Sequence, residues 1–169
     1  MKLCGIDLAV KRPSTVGVLL GDKIEVFEAG DEGIVKLCED AEVVSIDSPL
    51  SHSKGFRDVD KQMIRNGYRV LPPSWMKGLV DKALALSSTL RGTVIETHPT
   101  SSLKNIGLDW RKFGVKKDLI DAVVCSLVSL FYKRGEAMEI KGSDGAIYLL
   151  PKKRIEVIRI TDSVYTFLE

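Results

Sequence analysis

Carboxylates stand in this chain at places where a carboxylate is costly. Asp7 lies inside the apolar run Lys2-Leu-Cys-Gly-Ile-Asp-Leu-Ala9. Asp47 closes Glu42-Val-Val-Ser-Ile-Asp47, Glu96 closes Thr93-Val-Ile-Glu96, and Asp121 interrupts the apolar pattern of Lys116 to Tyr132. An acid in such a setting needs a partner, a proton or a cation. If the segments of Asp7 and Asp47 are neighbouring strands, the two acids lie roughly 5 Å apart along the backbone spacing. Converging carboxylates repel, and a hard divalent cation such as Mg²⁺ or Mn²⁺ relieves them with oxygen ligands. Asp118, three residues before Asp121, shares its helix face. It is either a further ligand or a first-turn acid that serves the helix dipole. Glu96, two strands and roughly 10 Å from Asp7, is either a ligand or an anchor for Thr97-His98-Pro99.

The basic residues suggest what such a centre would act on. Arg57, Lys61, Arg65 and Arg69 recur at fourfold spacing. On a helix they form one stripe, either a grip for a phosphate backbone or a solvated face. Lys11 and Arg12 follow Asp7 closely, and further clusters run from Arg111 to Lys117 and over Lys152-Lys153-Arg154. Together they suit a phosphate-facing surface, or each alone is ordinary solvated charge. Trp75 and Trp110 either stack on bases or pack in the core. His52 and His98 lack metal-ligand spacing, and His98 either assists proton transfer or merely ends a strand before proline. No Gly-rich nucleotide-binding loop motif occurs.

These residues need elements to position them. The 169 residues are 44% hydrophobic and 28% charged with a net charge of +2, which fits a soluble globular domain. Thr15 to Leu20 and Lys23 to Phe27 are strands joined at Gly21-Asp22, so three antiparallel strands open the chain. Asp31 to Asp40 follows as a helix with acids at its start. Strands end at Asp47 and Glu96, with an amphipathic helix from Trp75 to Arg91 between them. The segment Leu50 to Ser74 is long enough for a lid or binding loop, with a short helix from Arg57 to Asn66. On the helix Lys116 to Tyr132, Asp118, Asp121, Ala122, Cys125 and Ser129 form a narrow strip of small or polar residues, which lets it lie close over a sheet. After Gly135 the chain is irregular up to a turn at Gly142-Ser-Asp-Gly145 and an extended run from Ala146 to Leu150. The expected architecture is α/β: a mixed five-stranded sheet, three antiparallel strands plus two parallel, flanked by helices. It spans residues 1–151, and residues 152–169 form a short β-rich extension packed on it. Cys4, Cys38 and Cys125 read as reduced, buried thiols of a cytoplasmic protein. No run is long enough for a membrane span.

Gly5-Ile-Asp-Leu-Ala9 with Thr15-Val-Gly17, Ile46-Asp-Ser-Pro-Leu50, Arg57-x-x-Asp60 with Arg65 and Gly67, Ile95-Glu96 with Pro99, Asp121-Ala122, and Asp144-Gly145-x-Ile147 with Pro151 occur in this order. The series resembles a prokaryotic family described as predicted RNase H-like nucleases, within the RNase H and RuvC-type resolvase superfamily. The resemblance runs from about Lys2 to Pro151. It implies an RNase H-like fold and hydrolysis of DNA or RNA with two Mg²⁺ or Mn²⁺ ions roughly 4 Å apart. Asp7 would bridge both ions, with Asp47 and Asp121 holding one each and Asp118 matching the additional helix acid of resolvases. Glu96 matches an acid of the family's own pattern. The glutamate that RNase H proper carries on its first helix has only Glu39 as its counterpart, with no motif around it. Resolvase relatives imply a homodimer. The rival expectation is a nucleotide or nucleic-acid binding module without nuclease activity, with Ser14 and Thr15 cradling a phosphate.

Overall fold

The first strand, β1 (Lys2–Asp7), shows how the sequence builds the centre of the molecule. Its side chains alternate, so Leu3, Gly5 and Asp7 face one side and Cys4 and Ile6 the other. The computed structural model describes residues Met1–Glu169. In it β1 pairs antiparallel with β2 (Ser14–Leu20), which pairs with β3 (Lys23–Ala29) across a turn where Gly21 adopts a φ of 64°. Helix α1 (Asp31–Cys38) opens with Asp31 and Glu32 against its dipole and buries Ile34 and Cys38. It leads to β4 (Val43–Ile46), parallel to β1. Pro49 stops that strand soon afterwards, because proline donates nothing to a ladder.

Within the long segment after β4, α2 (Asp58–Arg65) is the short helix the sequence suggests. A 3₁₀ turn (Pro73–Met76) and α3 (Lys77–Thr89) lead to β5 (Thr93–Thr97), parallel to β4. The remaining elements are α4 (Pro99–Ile106), α5 (Lys117–Lys133), β6 (Met138–Gly142), β7 (Gly145–Leu149), β8 (Glu156–Arg159) and β9 (Val164–Leu168).

The sheet is mixed and nine-stranded, in the order β6-β7-β5-β4-β1-β2-β3-β9-β8. The expected five strands are its centre. The correction lies at both edges, where hairpins extend it. β7 joins β5 in parallel and carries β6 with it, while β9 joins β3 and carries β8. The Met138–Gly142 strand, an alternation only four residues long, and helix α4, whose apolar spacing rests on Leu103 and Ile106 alone, are additions to the expected elements. No helix is long and apolar enough to cross a membrane.

Every residue of α5 from Ile120 to Phe131 is buried. A helix apolar on all sides must be covered on all sides. The sheet covers one side, and Leu103, Phe113, Val157 and Tyr165 belong to the cluster that covers the rest. The strip of small residues lies against β1 and β2. A Cβ on Gly5 would overlap the Ser126 backbone nitrogen, and one on Gly17 would stand 2.6 Å from the Ala122 carbonyl oxygen. Ser129 Oγ donates to the Cys4 carbonyl at 2.7 Å and shares a 2.6 Å bond with Ser45 Oγ. The opposite face of the sheet packs on α1 and α3 through Ile6, Val16, Ile34, Ala83 and Leu86.

One expectation about thiols is corrected. Cys4 on β1 and Cys38 at the end of α1 are joined as a disulfide, with Cα atoms 6.0 Å apart. Their 34-residue separation carries no local motif, and only the packing of α1 on the sheet brings them together. Cys125 is the free, buried thiol.

Candidate functional site

Asp7 and Asp47 come together through strand register. Ile6 is partnered with Ile46, and the Asp47 N–H donates to the Ile6 carbonyl at 2.9 Å. Asp7 follows Leu3 and Gly5 on the face under α5, and Asp47 follows Val43 and Ser45 on the same face. The first turns of α5 bring Asp118 and Asp121 over these strand ends. Carboxylate oxygens of Asp7, Asp118 and Asp121 lie within 4.8 Å of one another. Asp7 and Asp121 are buried, and Asp47 and Asp118 are half-buried. The Oδ2 atom of Asp7 is buried and accepts no hydrogen bond.

The electrostatics follow from this crowding. Burial, then the charges of Asp121 and Asp118, push the Asp7 carboxyl up to about 7 against the pull of Arg12. Burial also raises Asp47 well above the ordinary carboxylate range, with Asp7 and Asp121 adding repulsion. Asp121 is raised by burial and pulled back by Lys117. Two cationic side chains border the cluster. Arg12 Nη2 stands 3.6 Å from Asp7 Oδ2 and 3.3 Å from Asp118 Oδ1. Lys117 Nζ donates to both Asp121 oxygens at 3.0 and 2.9 Å and to Thr100 Oγ1 at 3.1 Å. The loop that carries Arg12 is closed by Ser14, whose Oγ accepts from the Ala9 N–H at 2.9 Å. That buried hydroxyl is thereby engaged in the loop itself.

Donor chemistry narrows what such a cluster can hold. Every offered ligand atom is a carboxylate oxygen, the set a hard divalent cation takes. The Asp7 oxygen, which has Arg12 nearby but accepts no hydrogen bond, is the kind of buried acceptor that such an ion satisfies. The thiol beneath the cluster, Cys125, is pushed far up by burial and by the acids around it, so it offers no thiolate.

Glu96 does not join the cluster. It is partnered with Ile46, one residue short of Asp47, so its side chain leaves the other face of the sheet. There Arg57 grips it at both oxygens, Nη1 to Oε1 at 2.9 Å and Nη2 to Oε2 at 2.6 Å, and the Leu50 N–H donates to Oε1 at 2.9 Å. Arg57 also reaches Asp60 through Nε at 3.0 Å and Nη2 at 2.8 Å. This network lines a cavity of about 170 Å³ together with Asp47 and His98. Burial and the Lys117 charge depress His98 to about 4, so its ring is neutral at physiological pH.

The expected fourfold basic stripe is therefore broken. Arg57 is the N-cap of α2 with extended backbone, and it turns inward between two acids, while Lys61 and Arg65 stay exposed on the helix. Lys11 is exposed beside Arg12. Trp75 is 73% exposed, and Trp110 is half-buried against the core.

Three participants are not among the expected site residues. Lys117 ends the basic cluster that begins at Arg111, and it is the i, i+4 partner of Asp121. Asp60 belongs to the Arg57-x-x-Asp60 motif, whose spacing is also that of a capping box. Asp144 reads as a turn residue and as part of the Asp144-Gly145-x-Ile147 motif. Its carboxylate accepts from the Asp58 and Val59 N–H groups at 2.8 and 3.0 Å, which ties the β6–β7 turn to the start of α2.

No protein-family model matches the chain, and no curated protein matches it.

Proposed function

We propose that the chain is a Mg²⁺- or Mn²⁺-dependent nuclease that hydrolyses phosphodiester bonds of DNA or RNA on an RNase H-like core. The observation that carries this reading is the convergence of Asp7, Asp118 and Asp121 around a buried Asp7 oxygen without a hydrogen bond. The central strand order β3-β2-β1-β4-β5, with the acids on β1, after β4 and on α5, supports the fold assignment. Asp7, Asp47, Asp118 and Asp121 would hold the metal. Bound there, it would supply a Lewis acid that lowers the pKa of water and stabilises a leaving oxygen. Arg12 and Lys117 flank the cluster and would meet the phosphate oxygens of a substrate. Glu96 and Arg57 hold the loop after β4, and with it Asp47, in position.

Calorimetric titration with Mn²⁺ tests the reading, on the wild type and on Asp7→Asn, followed by a nucleic-acid cleavage panel. Saturable binding and Mn²⁺-dependent cleavage, both abolished by the substitution, are expected. Equal binding by both proteins would refute the site.

The second reading is a nucleic-acid binding module without cleavage. Arg12 and Lys117, which already neutralise part of the acid cluster, favour it. Salt-sensitive binding with no metal dependence and no cleavage would select it.

A further inference from the structure

Sequence clusters far apart in the chain meet on one surface that the acid centre does not use. Lys104 and Lys112 join Lys152, Lys153 and Arg154 around a cavity of about 640 Å³, with Glu156 the sole acid in its lining. Lys104, Gly107 and Leu108 also line a second cavity of about 410 Å³, which continues past Trp110 and Arg111 to Thr100 and Lys117. Lys117 in turn pairs with Asp121 at 2.9 Å. The two cavities adjoin at Lys104, Gly107 and Leu108, so a trough runs from Lys117, beside the acid cluster, along α4 to the turn before β8.

The charge of this trough is only partly balanced. Arg111 is paired with Asp109, and Lys153 with Glu169. Lys104 donates to the Gly67 carbonyl, a neutral acceptor. Lys152 and Arg154 are exposed and have no ion-pair partner, and Lys112 only overlies the Phe113 ring. Unpaired cations held along a concave path create a potential that attracts a polyanion. Small-anion sites are compact, whereas this one is elongated and open, with an indole beside its middle. Cations along a groove with an aromatic ring are the requirements of a single nucleic-acid strand.

We infer that this trough, from Lys117 past Trp110 to Lys152 and Arg154, is the track of a single-stranded nucleic acid whose end reaches the acid cluster. The identity of the polyanion rests on the nuclease reading above; the trough itself does not.

The test is fluorescence anisotropy with a labelled single-stranded oligonucleotide of about twelve nucleotides, in chelator so that no cleavage occurs, over a salt series. The proteins are the wild type, Lys152→Glu/Arg154→Glu, Arg154→Gln and Asp7→Asn, each checked for fold by circular dichroism. The wild type should bind with a steep salt dependence. The double substitution should weaken binding about tenfold or more and flatten the log–log salt slope by about one to two, and Arg154→Gln should do part of this. Unchanged affinity and slope in the double variant would overturn the inference. So would affinity that does not grow from a dinucleotide to the longer strand, or tighter binding of the duplex of the same sequence. The two readings separate cleanly. A wild type that cleaves with Mn²⁺ while the double variant binds normally retains the nuclease and removes the trough. A wild type that never cleaves, yet loses binding in the double variant, retains the trough and removes the nuclease.

Discussion

Gly5 stands directly opposite Gly17 in the β1–β2 ladder, and helix α5 occupies the space that both side chains would have filled. This pair sets the height of α5 over the sheet, and hence the distance from Asp118 and Asp121 to Asp7. Gly5→Ala must force the helix backbone away. It is expected to cost about 3 kcal/mol or more, a fall in Tm of about 6–12 °C for a chain of this size. Gly30→Ala is the control, because a Cβ there meets nothing. Thermal melts showing equal Tm for both variants would disprove the close-approach account.

Asp7 makes metal-free stability depend on pH. Its folded pKa of about 7 exceeds the ordinary value of 3.8, so from about pH 4 to 7 the native state holds a proton that the unfolded state has released. Stability therefore falls as pH rises through that window, and the loss is complete above it. Asp7→Asn removes the penalty. In chelator the variant should match the wild type near pH 4 and exceed it by up to about 4 kcal/mol at pH 8. His98 acts in the opposite direction. Depressed to about 4, it lets the unfolded state bind the extra proton between about 4 and 6.5, so its contribution rises with pH there. That effect is common to both proteins and cancels in the comparison. A wild type more stable than Asp7→Asn at pH 8 without metal would contradict this picture.

Arg57 is a structural residue by its contacts. Arg57→Met leaves Glu96 and Asp60 buried without their partner, a loss of about 3–5 kcal/mol. Adding Glu96→Gln should recover part of it, since one uncompensated charge is then removed. Denaturant unfolding of the single and double variants measures this, and a single-variant loss below about 1 kcal/mol would show that the pair is effectively solvated.

Lys117 competes with any cation for Asp121, because its ammonium donates to both carboxylate oxygens. Lys117→Met should tighten Mn²⁺ binding about fivefold to tenfold, near 1 kcal/mol. Weaker binding in the variant would mean that Lys117 orients the carboxylate for the ion.

Much of the site is legible in the amino-acid sequence. Asp7, Asp47 and Asp121 stand out because a carboxylate inside an apolar strand or helix is unstable alone. The close fit of α5 is legible in Asp121, Ala122, Cys125 and Ser129 lying on one strip. Glu96 is not legible in the same way. Its position relative to Asp47 depends on the β4–β5 register, and a shift of one residue reverses the face. The fourfold spacing of Arg57, Lys61 and Arg65 implies one stripe only if helix geometry begins before Arg57. The helix begins at Asp58, and Arg57 turns inward to Glu96.

The sequence by itself determined the local elements of the central sheet, the acids at their ends and the small residues that allow α5 to approach, because periodicity and side-chain size act over a few residues. Only the tertiary structure decided which face each strand-end acid takes, that Cys4 meets Cys38, that hairpins extend both sheet edges, and that Lys104 and Arg154 line one cavity. These are pairings between segments far apart in the chain, and no local pattern records a partner that packing alone selects.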